Sequence, residues 1–182
     1  LAHPRSVVAN GGVYQWKDGR RNWDTTTAVF DYGPTDDLSK GFQVVFMSRM
    51  HNGDDNASEV YYSVGGELNL INNKVSPKGG LIERFAKPMG MKPVLLPEMN
   101  LTEKVVKVES GANTGGDPLT SAHVRNWMEC IRSRKQTNAP VEAGYSHSIA
   151  TIMSNAAART GEKVTFDEKT QEVMAGGKIF KY

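Results

Sequence analysis

Strand-like and helix-like segments are segregated along this chain, and their order constrains the fold more than any other feature. Runs rich in β-branched and aromatic residues, bounded by glycine or proline, come first. Two helical patterns follow, and strand-like sequence returns at 163–167 and 172–180. Strands followed by helices are typical of α+β folds, so the sequence predicts a mostly antiparallel sheet with helices packed on one face.

Glycine doublets mark the ends and turns of the early strands. The predicted elements are strands at 5–14, 25–33 and 42–52 and a hairpin over 59–73. Gly11-Gly12 interrupts the first strand, and Gly65-Gly66 supplies the tight turn of the hairpin because glycine readily adopts positive φ. The strand at 42–52 is apolar on both faces, which predicts a sheet that is covered on part of both sides.

Residues 74–118 differ from the rest of the chain because they hold five prolines together with many glycines. This composition predicts a long excursion with little regular structure and a short helix near 80–86. Long loops of this kind often contact a ligand or a partner.

Both helical segments carry one apolar stripe at the i, i+3, i+4, i+7 spacing. The stripes are Val124, Trp127, Met128 and Ile131 in the first helix and Ile149, Ile152, Met153 and Ala156 in the second. Asp117-Pro118 or Thr120 can begin the first helix, because Asp and Thr cap free N–H groups and Pro suits a first turn. Gly161 is placed to terminate the second helix.

Composition excludes several classes of protein. The chain has 182 residues, 23% of them charged, and a net charge of +2, so we expect one domain over 1–182 and no nucleic-acid partner. No apolar run reaches the length of a membrane span, and we expect no membrane partner. The single cysteine, Cys130, excludes an internal disulfide and a cysteine-rich zinc site. No signal peptide is visible after Leu1.

The densest polar cluster is "KDGRRNWDT" at 17–25. It contains Asp18, Arg20, Arg21 and Asp24, flanked by Trp16 and Trp23. Arginine can hydrogen-bond hydroxyl groups and indole faces can stack on sugar rings, so the cluster could bind a polyol. The alternative is a loop pinned to the core by its tryptophans, with its charges in water.

No residue pattern indicates a metal, nucleotide or nucleophile site in this chain. The glycine doublets mark turns rather than phosphate-binding loops, and no two histidines have the i, i+4 spacing of a helical metal site. We interpret His123 and His147 as partly buried histidines that make one hydrogen bond each. Cys130 is interpreted as a small buried hydrophobe.

The segment from Asn126 to Glu172, "NWMECIRSRKQTNAPVEAGYSHSIATIMSNAAARTGEKVTFDEKTQE", resembles the end of bacterial members of the Gfo/Idh/MocA oxidoreductase family. Those members commonly have a Cys-Val-Arg-Ser-Arg-Lys-like helix, a Pro-x-Ala-Pro-x-Glu segment, a Gly-His pair, a second helix and a Trp-Asp strand. The opening "PRSVVANGGVYQWKDGRRNWDT" is similar to their first C-domain strand and Gly-Gly turn. Tyr145 stands where the family often has His, and Trp23 stands where Pro is common.

The resemblance implies a C-terminal domain with an open, mainly antiparallel sheet and helices on one face. It implies an NAD(P)-dependent oxidoreductase that acts on a sugar or polyol, with this domain contributing to substrate binding and to a homo-oligomer. The dinucleotide-binding half and its catalytic lysine are expected upstream of Leu1. We therefore expect NAD or NADP only in the full-length enzyme, no cofactor on this chain, no metal, and no activity of this chain alone.

The hypothesis assigns substrate contacts to Lys17, Asp18, Arg20, Asp24, Tyr145 and His147, and no catalytic residue to this chain. Two alternatives remain. One is a stand-alone, non-catalytic carbohydrate-binding module that uses Trp16 and Trp23 as a sugar platform. The other is a dimerisation module without a ligand, since an open sheet face requires a cover.

Overall fold

The computed structural model describes residues 3–53, 58–101 and 118–181, with only the backbone of 118 and 119. The chain forms two compact units, each built around its own antiparallel sheet. The sheet–helix unit comprises Leu1–Gly53 and Ala122–Tyr182, and the small-sheet unit comprises Asp54–Ser121. The expected α+β class is confirmed. The sequence predicted one domain over 1–182, whereas the described chain divides into these two units.

The described residues form the following elements in chain order. The strands are β1 (Ser6–Gly12), β2 (Thr25–Tyr32), β3 (Phe42–Arg49), β4 (Val60–Ser63), β5 (Gly66–Asn69), β6 (Lys74–Ser76), β7 (Met99–Asn100), β8 (Val164–Asp167), β9 (Glu172–Ala175) and β10 (Lys178–Ile179). The α-helices are α1 (Glu83–Ala86), α2 (Pro118–Ser133) and α3 (Val141–Thr160). The six-stranded sheet has the order β10-β9-β8-β1-β2-β3, and the four-stranded sheet has the order β4-β5-β6-β7.

One face of the six-stranded sheet is covered by α3. Along β1 the side chains alternate between the two faces, so Val7 is 1% exposed beneath the helix while Val8 is 46% exposed. The buried cluster is Val7, Ile149, Met153, Ala156, Ala157, Val164, Val173 and Ala175. Because two of the helix residues are alanines, the helix backbone can approach the sheet closely, and each larger side chain buried there contributes about 1.5–3 kcal/mol.

The predicted second helix is confirmed together with its stop signal. Gly161 adopts φ 71°, and its N–H donates to the Ala157 carbonyl oxygen at 2.9 Å. The Gly161 N–H satisfies one of the last free carbonyl groups of the helix, and glycine is favoured there because it adopts positive φ without a Cβ clash.

The described part of α2 starts at Pro118, next to residues outside the described ranges, and its apolar stripe is not buried. The four stripe residues are 41–54% exposed, and Cys130, on another side of the helix, is buried. The Cys130 thiol donates to the Gln136 carbonyl oxygen at 3.3 Å, which agrees with its interpretation as a small buried residue. Packing of helices on one face of the sheet is therefore seen for α3.

Among the strands that the structure describes, β3 is an edge strand, because β2 is its neighbour on one side and the order of the sheet ends there. Its large apolar side chains are exposed on both faces, by 40–62%. They are Phe42, Val44, Val45, Phe46 and Met47. The sequence predicted a sheet that is covered on part of both sides. The helix α3 covers one face, and cover of the other face stays a prediction, because an apolar pattern indicates a need for cover and not what supplies it.

The small-sheet unit contains the predicted hairpin, β4–β5. Gly66, the first residue of β5 after the turn residues Val64 and Gly65, has φ 144°, and a Cβ there would lie 2.1 Å from the Ser76 carbonyl oxygen. The short helix predicted near 80–86 is α1. Residues 74–101 are more regular than predicted, because β6 and β7 add two strands to the hairpin. The remainder of the predicted excursion, 102–117, lies outside the described residues.

The segment 172–180, for which the sequence predicted strand character, forms the hairpin β9–β10. Gly176 and Gly177 have φ 55° and 79° and form its turn, in agreement with the turn that the glycine doublet predicts.

Candidate functional site

The loop between β1 and β2, residues 13–24, is organised by one buried carboxylate. Asp24 is 1% exposed, and its oxygens accept hydrogen bonds from the backbone N–H groups of Tyr14, Gln15 and Trp16 at 3.1, 2.8 and 3.0 Å. The Thr25 hydroxyl donates a further bond at 3.1 Å. These donors, the Trp16 N–H first, hold the pKa of Asp24 well below its usual range. Asp24 thus shapes the loop, and its oxygens are already occupied by protein donors.

Three other residues that the sequence assigned to substrate contacts are engaged within the same loop. The Arg20 Nε donates to an Asp18 carboxylate oxygen at 2.8 Å, and this hydrogen bond lowers the pKa of Asp18 to about 2. The Arg20 guanidinium also stacks on Trp16, 4.1 Å from the ring centroid. The Lys17 ammonium donates to the Val13 carbonyl oxygen at 2.8 Å. Arg20, Asp18 and Trp16 therefore form one self-contained surface cluster.

Tyr145 and His147 lie elsewhere, in the first two turns of α3. The Tyr145 hydroxyl donates to the side-chain oxygen of Gln171, in the turn between β8 and β9. His147 is exposed, and its carbonyl oxygen accepts the Thr151 hydroxyl at 3.0 Å. No hydrogen bond among the described residues joins Tyr145 or His147 to the β1–β2 loop. The six predicted contact residues thus form two groups and not one site.

A polar pocket lies where the β1–β2 loop meets the middle and last turns of α3. We call it the α3 pocket, and it has a volume of about 230 Å³. It is lined by Arg21, Asn22, Trp23, Thr26, Thr151, Ser154, Asn155, Ala158 and Arg159. All of these residues belong to the sheet–helix unit. The lining combines two guanidinium groups, two carboxamides, three hydroxyls and one indole, and it contains no carboxylate.

The side chains of this pocket differ in whether they already make hydrogen bonds within the protein. The Ser154 hydroxyl donates to the Thr151 carbonyl oxygen at 3.0 Å. The carboxamides of Asn22 and Asn155 have no hydrogen-bond partner among the described residues. Each carboxamide can donate and accept, so the two are available to a ligand that carries hydroxyl groups.

The sequence indicated only the loop side of this pocket. Arg21 and Trp23 belong to the polar cluster that it identified, but the helix side was missed. The missed signal is the spacing of Thr151, Ser154, Asn155 and Ala158 at i, i+3, i+4, i+7, which places small and polar residues on one face of α3. His51 lies outside this pocket. Its Nδ1 is 3.1 Å from the hydroxyl of Thr25, next to Asp24, a contact that the sequence did not indicate.

The small-sheet unit has a larger pocket, of about 560 Å³, but its charges are paired within the protein. Lys78 donates to Glu67 at 3.3 Å, and Lys74 pairs with Glu98. Two cations and two anions therefore neutralise each other there, and the pocket offers a ligand little net charge.

Two further surveys of the described residues gave negative results. No group of three or more His, Cys, Asp or Glu side chains is placed to hold a metal ion. No helix in the described ranges has the length and apolarity needed to cross a membrane. Comparison of the whole chain with protein-family models, with curated proteins and with solved structures found no match.

Proposed function

We propose that this chain is the C-terminal, substrate-binding and oligomerisation domain of an NAD(P)-dependent oxidoreductase that acts on a sugar or polyol. The observation that carries the binding role is the α3 pocket, where an indole meets two uncommitted carboxamides. A polyol presents both hydroxyl groups and C–H faces, so it needs hydrogen-bonding groups beside an aromatic surface.

The oxidoreductase part of the proposal is supported by the ordered motifs at the two ends of the sequence, which resemble one oxidoreductase family. In the complete enzyme the nicotinamide would accept a hydride from a carbinol carbon. This chain would hold and orient the polyol, while the dinucleotide would be bound by a separate half of the protein.

The first test is the intact mass and N-terminal sequence of the protein as its source cell makes it. We expect a chain that extends upstream of Leu1 into a strand, a glycine-rich loop and a helix. A native chain that begins near Leu1 would remove the oxidoreductase proposal. A second measurement is calorimetric titration of the 182-residue chain with NAD and NADP, for which we expect no tight stoichiometric complex.

Dimerisation is a second candidate function, and the edge strand β3 favours it. Five large apolar side chains of this strand and Met50 beyond it are roughly half exposed. Six such side chains expose about 600 Å² of surface in total, close to the ~800 Å² that each partner buries in a standard interface.

The occupant that fits this edge best is a second copy of the chain. An edge strand presents free backbone N–H and C=O groups, and two copies can pair antiparallel about a two-fold axis. The pairing would place apolar side chains of β3 next to the same side chains of the partner on both faces. A self-complementary contact of this kind closes after two copies.

Light scattering tests this second role. We expect a dimer whose mass does not change over a tenfold range of protein concentration. Val45→Glu places a charge on the exposed strand and should yield a monomer with unchanged circular dichroism. Val141→Glu, at an even more exposed apolar position at the start of α3, should remain dimeric. A wild-type protein that is monomeric throughout would exclude β3 as a dimer interface.

A further inference from the structure

We infer that the α3 pocket binds an anionic group, and that the ligand of this domain is an acidic sugar or polyol with a phosphate ester or a carboxylate. This inference rests on the proposed polyol-binding function and names the chemical class of its ligand. The observation behind it is that Arg21, in the β1–β2 loop, and Arg159, in α3, line the same cavity.

Two arginines of the sheet–helix unit are neutralised by carboxylates, and Arg21 and Arg159 are among the arginines that no described carboxylate pairs with. Arg5 bonds Asp31 at 2.7 Å, and Arg20 bonds Asp18 at 2.8 Å. Arg21 and Arg159 have no carboxylate partner among the described residues, and no Asp or Glu lines the cavity. A pocket with two uncompensated positive charges attracts anions.

Arginine also determines which anions fit. The planar guanidinium donates two parallel N–H bonds to carboxylate or phosphate oxygens, and such charge-assisted bonds are about twice as strong as neutral ones. Arg21 lies on the loop and Arg159 in the last turn of α3. Both side chains line the cavity, so an anion bound there has two guanidinium donors available, while Asn22 and Asn155 remain available for hydroxyl groups.

The lack of a side chain at Gly11 leaves room for the Trp23 indole in the wall of the α3 pocket. A Cβ at Gly11 would lie 2.7 Å from the Trp23 ring and 2.2 Å from the Thr25 carbonyl oxygen. Gly11 thus lets the half-buried indole lie close to β1 while it lines the cavity. The chain therefore positions the aromatic surface through its backbone, which supports a binding role for that surface.

NMR titration of the 182-residue chain tests the inference directly. The three tryptophans give three indole N–H signals, which Trp→Phe variants assign. The probes are sorbitol, gluconate, glucose 6-phosphate and inorganic phosphate, at low ionic strength. We expect the Trp23 signal to move and the Trp127 signal to stay. The acidic ligands should bind about tenfold more tightly than sorbitol, because two charge-assisted contacts are added.

Variants separate the role of charge from the role of the polyol groups. Arg21→Gln and Arg159→Gln should each weaken gluconate and glucose 6-phosphate by about threefold and leave sorbitol unchanged. Arg125→Gln, at an exposed position of α2, is the matched control and should change neither. The ratio of gluconate to glucose 6-phosphate affinity tells which acid the site prefers.

Each outcome of the titration has a distinct meaning. Equal binding of sorbitol and both acids, or equal loss of all three in the arginine variants, overturns the anion site and leaves the polyol-binding function standing. Binding of inorganic phosphate alone, with no polyol contribution, overturns the acidic-polyol ligand. If no probe moves the Trp23 signal, both the inference and the proposed binding role of the pocket fall.

Discussion

The helices α2 and α3 carry the same spacing of apolar residues, but the stripe of α3 packs against the sheet while the stripe of α2 is exposed. In α3 the stripe packs against β1, β8 and β9, and Met153 is fully buried. In α2 the stripe residues stay 41–54% exposed. The spacing of apolar residues tells which face of a helix requires cover, whereas only the fold tells whether the chain itself supplies that cover.

The largest effect is expected from the same truncation made in each helix. Met153→Ala should lower the free energy of unfolding by about 2–5 kcal/mol, because it opens a cavity in the core. Met128→Ala should cost less than about 0.5 kcal/mol at low protein concentration. Urea denaturation measures both. Equal costs would show that the stripe of α2 is buried in solution, and a Met128→Ala cost that grows with concentration would show that a second copy buries it.

A smaller, pH-dependent effect on stability is expected from two carboxylates, the buried Asp24 and the exposed Asp18. The pKa of Asp24 is lowered in the folded protein from an ordinary value of 3.8, chiefly by backbone N–H donors. Its contribution to stability is therefore complete above about pH 5 and is lost as the pH falls below 4. The same sign holds for exposed Asp18, whose pKa falls to about 2 through Arg20.

Melting temperatures between pH 2 and pH 7 check this expectation. Asp24→Asn should lower the Tm at pH 7 by more than about 5 °C and flatten the decline below pH 4, because buried N–H donors lose a charged acceptor. Asp18→Asn should change the Tm at pH 7 by no more than about 2 °C, since its ion pair is at the surface. A Tm of Asp24→Asn equal to that of the wild type at pH 7 would contradict the structural role of this carboxylate.

The smallest effect is expected on the uncovered side of α3. Gly144 is the fourth residue of α3, and a Cβ there would meet no atom within 4 Å outside the backbone of the helix itself. Gly144→Ala should therefore raise the free energy of unfolding by about 0.5–1 kcal/mol through helix propensity alone. Gly11→Ala is the contrasting control, because its Cβ would overlap the Thr25 carbonyl oxygen. A destabilised Gly144→Ala protein would mean that something covers this turn in solution.

Much of the fold could be predicted because its signals are local. Gly161 ends α3, Gly66 opens β5 after the first hairpin turn, and Gly176 and Gly177 form the turn of the last hairpin. The strands β6 and β7 were missed because they are three and two residues long, and pairing with distant residues stabilises them. The candidate site was half predicted: the loop with Arg21 and Trp23 was identified, but the polar face of α3 has meaning only beside that loop.

The sequence by itself determined which segments become strands and helices, where they stop, and which faces require cover, because each depends on residues a few positions apart. Only the tertiary structure decided which cations are neutralised. Arg20 and Arg21 are adjacent in sequence, yet Arg20 is paired with Asp18 while Arg21 faces an open pocket shared with Arg159. The physical reason is that an ion pair forms over a few ångströms of space, and residues 21 and 159 approach each other only when α3 packs on the sheet.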